Sequence, residues 1–284
     1  MIGPLLKTLL MLMPQNAISR LVGRAGRSKV SKRFIRPYIS FFKINTDEIE
    51  QPVSAYPHLT AFFTRKLKEE ARPVCLLPDT LISPVDGKVA QTGRIHKGTL
   101  IQAKNINYTV EQLLGCSNKE AERFEDGTFL TIYLSPRDYH RIHMPIDGKV
   151  THLTYIPGRL FPVNSIGVYH VPGLFTKNER LITYSHTPAG QMALVKVGAF
   201  IVGSVKVGYG EHTTNVKNGR MYSMDLPEAP HYRKGEEIGL FEFGSTVILL
   251  FEKDRVTLES HIQEGAAVKY GERIGTVSNT KIPV

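Results

Sequence analysis

Residues 243–251 read FGSTVILLF, a glycine–serine step that leads directly into an unbroken apolar run. A continuous apolar stretch of this kind, containing β-branched residues, predicts a buried strand. A glycine before a serine removes one side chain from the approach to the carbonyl between them, and it allows backbone conformations that other residues avoid. Ser245 could therefore attack its own backbone, although an ordinary turn at the entry of a strand would have the same sequence.

The composition favours a globular protein with a basic start. The chain has 284 residues, of which 42% are hydrophobic, so it can form one large or two small domains. Of the net charge of +10, nine positive charges lie within residues 1–46, which contain no acid. This pattern predicts contact with an anionic lipid surface rather than nucleic acid, for which no recognition motif is present. Cys75 and Cys116 form no pairable framework, so we expect reduced thiols in a compartment that faces the cytosol.

The first 73 residues contain amphipathic segments. Residues 1–13 are mostly apolar but are too short to cross a bilayer. Apolar side chains fall on one helical face and arginines on the other in residues 18–27, and residues 35–43 repeat the apolar spacing. These segments predict a helical collar that lies on the membrane, followed by a short helix at 59–68. A surface helix packed on its own domain, or an organelle transit peptide, would also fit.

The sequence pattern changes from residue 80 onward, where runs of Val, Ile and Tyr are broken roughly every 8–12 residues by Gly, Pro, Asn or Asp. This spacing predicts a mostly antiparallel β domain with few helices, the best candidate being residues 108–114. Two motifs recur: PVDGKV (84–89) as PIDGKV (145–150), and KGEEIG (234–239) as YGERIG (270–275). We therefore predict an α+β fold with a quasi-symmetric β-sandwich or hybrid core. Each Asp-Gly pair could also be only a tight turn, the interpretation we favour for Asp147.

The histidines of SPRDYHRIHMP, residues 135–145, are candidates for proton transfer because a strand pattern ends just before them. Histidine can take a proton from a hydroxyl near neutral pH and return it later. Asp86, His143 and Ser245 could form a triad, since triads are defined by geometry and not by sequence order. A zinc site that uses His140 is the alternative, although neither HExxH nor a cysteine-rich cluster is present.

Seven stretches follow one another along residues 59–251: LTAFFTRKLKEEARP (59–73), SPVDGKV (83–89), YLSPRDYHRIHMP (133–145), GRLFPVN (158–164), LFTKNERL (174–181), VGAFIVGSV (197–205) and KGEEIGLFEFGST (234–246). Together they resemble the phosphatidylserine decarboxylase family, specifically its pyruvoyl-dependent proenzymes of prokaryotic type. Phe243 departs from the family, which usually has leucine at this position. Both side chains are large and apolar, so we expect the geometry of the cleavage site to survive.

The resemblance implies that the chain cuts itself between Gly244 and Ser245. His143, oriented by Asp86, would remove the hydroxyl proton of Ser245, and the oxygen would attack the Gly244 carbonyl to give an ester. Elimination of the Gly244 carboxylate, followed by hydrolysis with release of ammonia, would leave a covalent pyruvoyl group at position 245. The products would be a β chain of residues 1–244 and an α chain of residues 245–284, which we expect to stay together.

The pyruvoyl cofactor would then form a Schiff base with the amine of phosphatidylserine and accept the electrons left when carbon dioxide departs. By the same resemblance, His140 would return a proton to the product, phosphatidylethanolamine, and no metal is required. The loops GRLFPVN and LFTKNERL would face the lipid through Phe161 and Phe175.

The organisation we predict is a helical membrane-associating region, residues 1–73, followed by a β-rich catalytic domain, residues 74–284. The resemblance implies a homodimer, and together with the basic start it predicts a peripheral protein on the cytoplasmic face of the cell (inner) membrane. Two alternatives remain open. A non-catalytic carrier would need a lysine at a hairpin tip, and a zinc hydrolase that uses His140, His143 and Asp86 would bind metal.

Overall fold

The computed structural model describes residues 12–103, 106–200, 204–242 and 244–278. Within these ranges the chain is α+β, with mostly antiparallel sheets and few helices, so the predicted fold class is confirmed at this level. Phe243 and most of the apolar segment at 1–13 lie outside the described residues. The quasi-symmetric sandwich, the membrane collar and the division at residue 73 stay predictions.

The helices are short. They are α1 Gln15–Gly26, α2 Ile35–Phe42, α3 Leu59–Phe63, α4 Val110–Leu114, α5 Asn118–Ala121, α6 Ser165–His170 and α7 Leu174–Lys177, with 3₁₀ turns at Lys29–Phe34, Val53–Ala55, Glu69–Ala71 and Glu122–Phe124. The helix predicted at 108–114 begins only at Val110, because Thr109 caps it by accepting a hydrogen bond from the backbone N–H of Gln112.

The strands are β1 Thr80–Ile82, β2 Gly87–Arg94, β3 Thr99–Ala103, β4 Ile106–Thr109, β5 Thr128–Leu134, β6 Arg141–His143, β7 Gly148–Ile156, β8 Arg180–Thr187, β9 Gly190–Val197, β10 Val205–Val207, β11 Tyr222–Asp225, β12 His231–Tyr232, β13 Glu237–Phe241, β14 Ser245–Phe251, β15 Val256–Leu258, β16 Ala267–Val268 and β17 Arg273–Val277. Within the described ranges, the largest sheet has nine strands in the order β11-β7-β8-β9-β14-β5-β2-β16, with β12 beside β7. Two three-stranded sheets, β1-β17-β15 and β10-β13-β6, and the β3-β4 hairpin complete the β structure of the described residues.

Strand β14 lies in the middle of the large sheet, paired with β5 on one side and β9 on the other. All seven of its residues are buried, as the apolar run predicts. Val247 and Leu249 contribute to one hydrophobic cluster and Ile248 and Leu250 to another. The first cluster joins the large sheet to the two three-stranded sheets, and the second joins it to α4 and α7. The alternation of period two thus buries both faces of β14.

The sequence repeats make equivalent hydrogen bonds. Asp86 Oδ1 accepts from the backbone N–H of Tyr270 at 2.8 Å, and Asp147 Oδ1 accepts from that of Lys234 at 2.6 Å. The two copies also pair with each other, through Ile82 N to Pro145 O at 3.0 Å and His143 N to Pro84 O at 2.9 Å. Each Asp-Gly hairpin is therefore hydrogen-bonded to the first residue of one copy of the second motif, Tyr270 or Lys234.

Helix α1 packs through small and polar side chains rather than through its apolar face. Its buried residues are Gln15, Ser19, Gly23 and Gly26. Leu21, on the apolar face, is 67% exposed, and nearby Phe34 is 54% exposed. In the described part of the chain, no helix combines the length and hydrophobicity that crossing a bilayer would require.

Candidate active site

Ser245 is the first residue of β14 and is completely buried. Its side chain lies on the same face of the sheet as that of Val247, because side chains two apart along a strand share a face. Among the described residues its Oγ has no hydrogen-bond partner. Leaving a buried hydroxyl unpaired costs about 1–3 kcal/mol, and natural proteins tolerate this mostly where the group has a further role.

His143 is buried and neutral. Its Nδ1 lies 2.8 Å from the backbone oxygen of Gly235, so this nitrogen carries the proton, and Nε2, 3.1 Å from the hydroxyl of Tyr139, is the acceptor. Burial lowers the pKa of His143 to about 4, although the hydrogen bond to Gly235 opposes the shift. The imidazole is therefore a free base at neutral pH, with Nε2 as its basic atom.

Asp86 is also buried, but it faces an arginine rather than the histidine. Arg72 donates from Nε at 3.0 Å to Oδ1 and from Nη2 at 2.6 Å to Oδ2, and the N–H of Tyr270 completes the set. Among the described residues, no hydrogen bond joins Asp86 to His143 or either of them to Ser245. The structure thus differs from the expected direct contact between Asp86 and His143, because Arg72 and Gly235 occupy the two groups that would form it.

Tyr270 is the residue that connects the aspartate to the histidine. Its ring stacks on His143 with centroids 3.6 Å apart and planes 17° apart, while its N–H binds Asp86. Its hydroxyl donates to the oxygen of Gly235 at 2.7 Å, the same oxygen that receives the His143 proton. Neither Tyr270 nor Arg72 was predicted from the sequence to belong to the site. The YGERIG repeat was the available signal for Tyr270, and the end of the block at 59–73 was the signal for Arg72.

His140 lies in a different environment. It is fully buried, its Nδ1 lies 2.8 Å from the backbone oxygen of Asp138, and its ring centroid is 4.1 Å from that of Phe63. Burial lowers its pKa to about 3. Nε2 has no hydrogen-bond partner within the described ranges, so His140 presents an unprotonated, unpaired nitrogen. The chain therefore places two neutral imidazoles three residues apart, each fixed through Nδ1 by a backbone carbonyl.

Lys196 was also missed. It is fully buried in β9 directly opposite Val247, and therefore on the same sheet face as Ser245. Burial lowers its pKa to about 7, and its amino group contacts the hydroxyl of Thr183. A lysine inside the apolar run ALVKV was the signal that could have identified it.

An apolar cavity of about 680 Å³ opens at Gly244. It extends from Tyr133 and Phe63 toward α1 and the turn after it, where Val22 and Phe34 line it. Its size lies within the usual range for pockets that bind small organic ligands. The cavity connects the carbonyl before Ser245 to the exposed apolar side chains of the N-terminal helices.

Phe161 and Phe175, which we expected to contact lipid, are each 2% exposed and belong to the core. This expectation was wrong, because the loop that carries Phe161 and the helix α7 that carries Phe175 pack onto the large sheet and bury both rings. Their neighbours Pro162 and Val163 line the cavity at Gly244 instead. Over the residues that the structure describes, no three His, Cys, Asp or Glu side chains are grouped as metal ligands.

Comparison with known proteins places the chain among the decarboxylase proenzymes. It is 50% identical over 273 residues to the phosphatidylserine decarboxylase proenzyme of Brevibacillus brevis, an alignment that covers 96% of this chain and 98% of that protein. It is 44% identical over 277 residues to the protein of the same name from Myxococcus xanthus, with 95% and 97% covered. The sequence profile of the family Phosphatidylserine decarboxylase matches residues 59–276. The chain belongs to the phosphatidylserine decarboxylase family.

Proposed function

We propose that this chain is a proenzyme that cuts itself between Gly244 and Ser245 and then decarboxylates phosphatidylserine to phosphatidylethanolamine. The observation that carries the proposal is the unpaired, fully buried hydroxyl of Ser245 at the head of the central strand, beside an apolar cavity that begins at Gly244. The membership of the family supplies the reaction class.

In the first step, Nε2 of His143 takes the proton of Ser245, and Oγ attacks the carbonyl carbon of Gly244. The C–O bond forms as the C–N bond breaks, and the proton passes to the amino group of residue 245. Removal of the α-proton of residue 245 then expels the Gly244 carboxylate. Because Tyr139 occupies Nε2 in the structure, this step requires Tyr139 to release His143. The lowered pKa of His143 keeps the base unprotonated at neutral pH.

Asp86 acts in this proposal as a positioning residue. Its carboxylate holds the N–H of Tyr270, and the ring of Tyr270 holds the plane of His143. Arg72 balances the charge of Asp86 and connects it to Glu48 at 2.9 Å. A rigid, charge-compensated support of this kind fixes the base without taking part in proton transfer.

The residues around position 245 fit a pyruvoyl group. His140 Nε2 is a buried polar atom without a partner among the described residues, and it is the group that would hold it. When present, a pyruvoyl group supplies an electron sink for the bond to carbon dioxide. Nε2 of His140, unprotonated in the structure, is the atom that would take up a proton and pass it to the product. The surrounding apolar side chains exclude water from this step.

The cavity between Gly244 and α1 is the proposed route of the lipid. Val30, 56% exposed, and Phe34, 54% exposed, line it, and basic side chains interleave with these apolar ones along residues 20–43. A surface that combines apolar and basic side chains matches an anionic bilayer. We therefore propose a peripheral position on the cytoplasmic face of the cell (inner) membrane, with α1 and α2 as the collar.

We expect the two chains of the cleaved protein to remain associated. The α chain, residues 245–284, stays bound to the β chain because β14 is paired on both sides. The matching hydrogen bonds of the two hairpins support a quasi-symmetric sandwich, and the functional unit proposed is a homodimer. Nucleic acid has no part in it.

The proposal is tested by the intact mass of the purified protein under denaturing conditions. Two polypeptides should appear, the smaller with a blocked amino terminus that borohydride reduces. Ser245→Ala and His143→Ala should remain one chain, and His140→Ala should be cut but should decarboxylate poorly. Ser185→Ala is the matched control, since Ser185 is also a fully buried serine whose Oγ lacks a partner in the described residues. A single uncut chain from an active preparation would refute the proposal.

Membrane binding is tested separately by deletion of residues 1–43. The shortened protein should no longer sediment with vesicles that contain anionic lipid. Unchanged sedimentation would show that the collar is not the membrane-binding element, and it would leave the cleavage result unaffected.

A further inference from the structure

Strands β7 and β11 carry a second group of side chains suited to nucleophilic chemistry. In the antiparallel register Asp225 lies directly opposite His152, and Ser223 lies opposite Thr154. Residues two apart along a strand point to the same side, so these four side chains share one face of the sheet. This edge is separated from β14 by β8 and β9.

The side chains of Asp225, His152 and Ser223 are connected in the order that a catalytic triad requires. Asp225 Oδ1 lies 2.7 Å from Nδ1 of His152, and Nε2 of His152 lies 2.7 Å from Oγ of Ser223. The carboxylate fixes the proton on Nδ1, which leaves Nε2 to accept the hydroxyl proton of Ser223. Oγ of Ser223 also lies 2.7 Å from Oγ1 of Thr154. When Thr154 donates this bond, the contacts assign carboxylate, base and nucleophile without the rearrangement that the residues around Ser245 require.

The group opens into its own cavity, of about 590 Å³. Phe124 and Tyr184 give the cavity apolar walls, and Arg123 contributes a guanidinium that also binds Gln191 at 2.7 Å. The cavity shares no lining residue with the one at Gly244. Ser223 is exposed, whereas Ser245 is fully buried, so an external substrate can reach this hydroxyl.

We propose that Ser223, His152 and Asp225 form a second nucleophilic site, which hydrolyses carboxylic esters small enough for this cavity. Nε2 of His152 takes the Ser223 proton as Oγ bonds to the ester carbonyl carbon, and Arg123 faces the negative charge that develops on the carbonyl oxygen. The C–O bond to the alcohol then breaks, and the alcohol leaves with the proton from His152. Water repeats the sequence on the acylated Ser223 and releases the acid.

This site is independent of the proposed decarboxylation. Self-cleavage converts Ser245 into a group that is no longer a serine, so a serine-directed reagent applied to the processed protein cannot react at position 245. Labelling of Ser223 can therefore be positive or negative whether or not the proposed function is correct.

The test is reaction of the purified, full-length protein with a fluorophosphonate probe, followed by peptide mass spectrometry. Ser223 should be labelled, and Ser223→Ala should abolish the signal. Asp225→Asn should slow labelling by about 10⁴-fold, because the amide no longer fixes the tautomer of His152. Ser260→Ala is the matched control: this serine is exposed like Ser223 but does not line the cavity, and its loss should leave the labelling rate unchanged.

Hydrolysis of p-nitrophenyl acetate supplies the second measurement. The protein should release nitrophenol faster than Ser223→Ala, with melting temperature showing that both are folded. Absence of label on Ser223 at millimolar probe, or equal hydrolysis by the two proteins, would overturn the proposal. Equal labelling of the Asp225→Asn variant and the parent would overturn the role assigned to Asp225.

Discussion

The two Asp-Gly hairpins have nearly the same sequence and the same backbone bonds, but their aspartates have different surroundings. Asp86 is 5% exposed and holds Arg72 as well as the N–H of Tyr270. Asp147 is exposed and accepts from the N–H of Lys234. The turn requires only the bond that the two share. Among the described residues, the ion pair with Arg72 and the tyrosine stacked on His143 occur at the Asp86 hairpin and not at the Asp147 hairpin.

The strands that precede the two hairpins, β1 and β6, also differ at one equivalent position. His143 occupies the position in the second copy that Ile82 occupies in the first, and both donate their backbone N–H to the proline of the other copy. The duplicated backbone supplies a rigid frame, and substitutions within it supply the titratable groups. A motif repeated for structural reasons can therefore carry chemistry in one copy alone.

The largest expected effect separates the two aspartates. Asp86→Asn removes the charge that balances Arg72, whose side chain is 9% exposed, and it weakens the support of Tyr270 and His143. We expect self-cleavage to slow by about 100-fold, less than the loss of about 10⁴-fold in a triad whose aspartate contacts its histidine directly, because Asp86 acts on His143 through Tyr270. Asp147→Asn, the matched variant, should change the rate by less than about two-fold, as is usual for an exposed position. Chain cutting is followed over time after cell-free synthesis.

Equal rates for the two variants would show that Asp86 is only a turn residue. The unfolding free energy of each variant, measured in a Ser245→Ala background that stays uncut, separates a loss of positioning from a loss of fold.

A smaller effect is expected at the second pair, Tyr270 and Lys234. Tyr270→Ala removes the ring stacked on His143 but keeps the N–H that binds Asp86, so cleavage should slow by about 10-fold, within the usual contribution of an aromatic contact. Tyr270→Phe keeps the ring, so this variant should slow cleavage less than Tyr270→Ala does. Lys234→Ala should leave the rate nearly unchanged. A slow Lys234→Ala variant beside a normal Tyr270→Ala variant would reverse our assignment of the functional copy.

The smallest effect is a difference between His143 and Ile82 variants in how the free energy of unfolding depends on pH. Burial lowers the pKa of His143 to about 4, below the ordinary value of about 6.5 that it has in the unfolded chain. Between these values the unfolded chain binds a proton that the folded chain does not, so stability falls as the pH falls from about 6.5 to about 4. In the Ser245→Ala background, His143→Leu should reduce this slope by about 1 kcal/mol per pH unit.

Ile82→Leu is the control for this measurement, because it should shift the whole stability curve without changing its slope. Urea unfolding at several pH values provides both curves. If His143→Leu has the same slope as its parent, the imidazole is not held neutral in the fold.

The sequence predicted the strand of residues 245–251 and the paired hairpins, because apolar runs and Asp-Gly turns are local signals. It did not predict how the charge of Asp86 is compensated, since Arg72 reaches the carboxylate through tertiary packing. Amphipathicity located α1, but it could not show that Ser19 and Gly23 form the packed side, because close helix contact favours small residues. Similarly, an aromatic residue in a loop motif does not reveal whether the loop folds inward, as it does at Phe161.

The central place of β14 has a consequence for the lifetime of the processed protein. A nick at its first residue would leave the ladders to β5 and β9 in place from residue 246 onward, so the architecture would not depend on the severed link. Denaturation, however, releases two separate polypeptides, and their return to the native state becomes a second-order association that weakens on dilution. At low concentration this association is slow, so the working life of each molecule is set by how slowly it first opens.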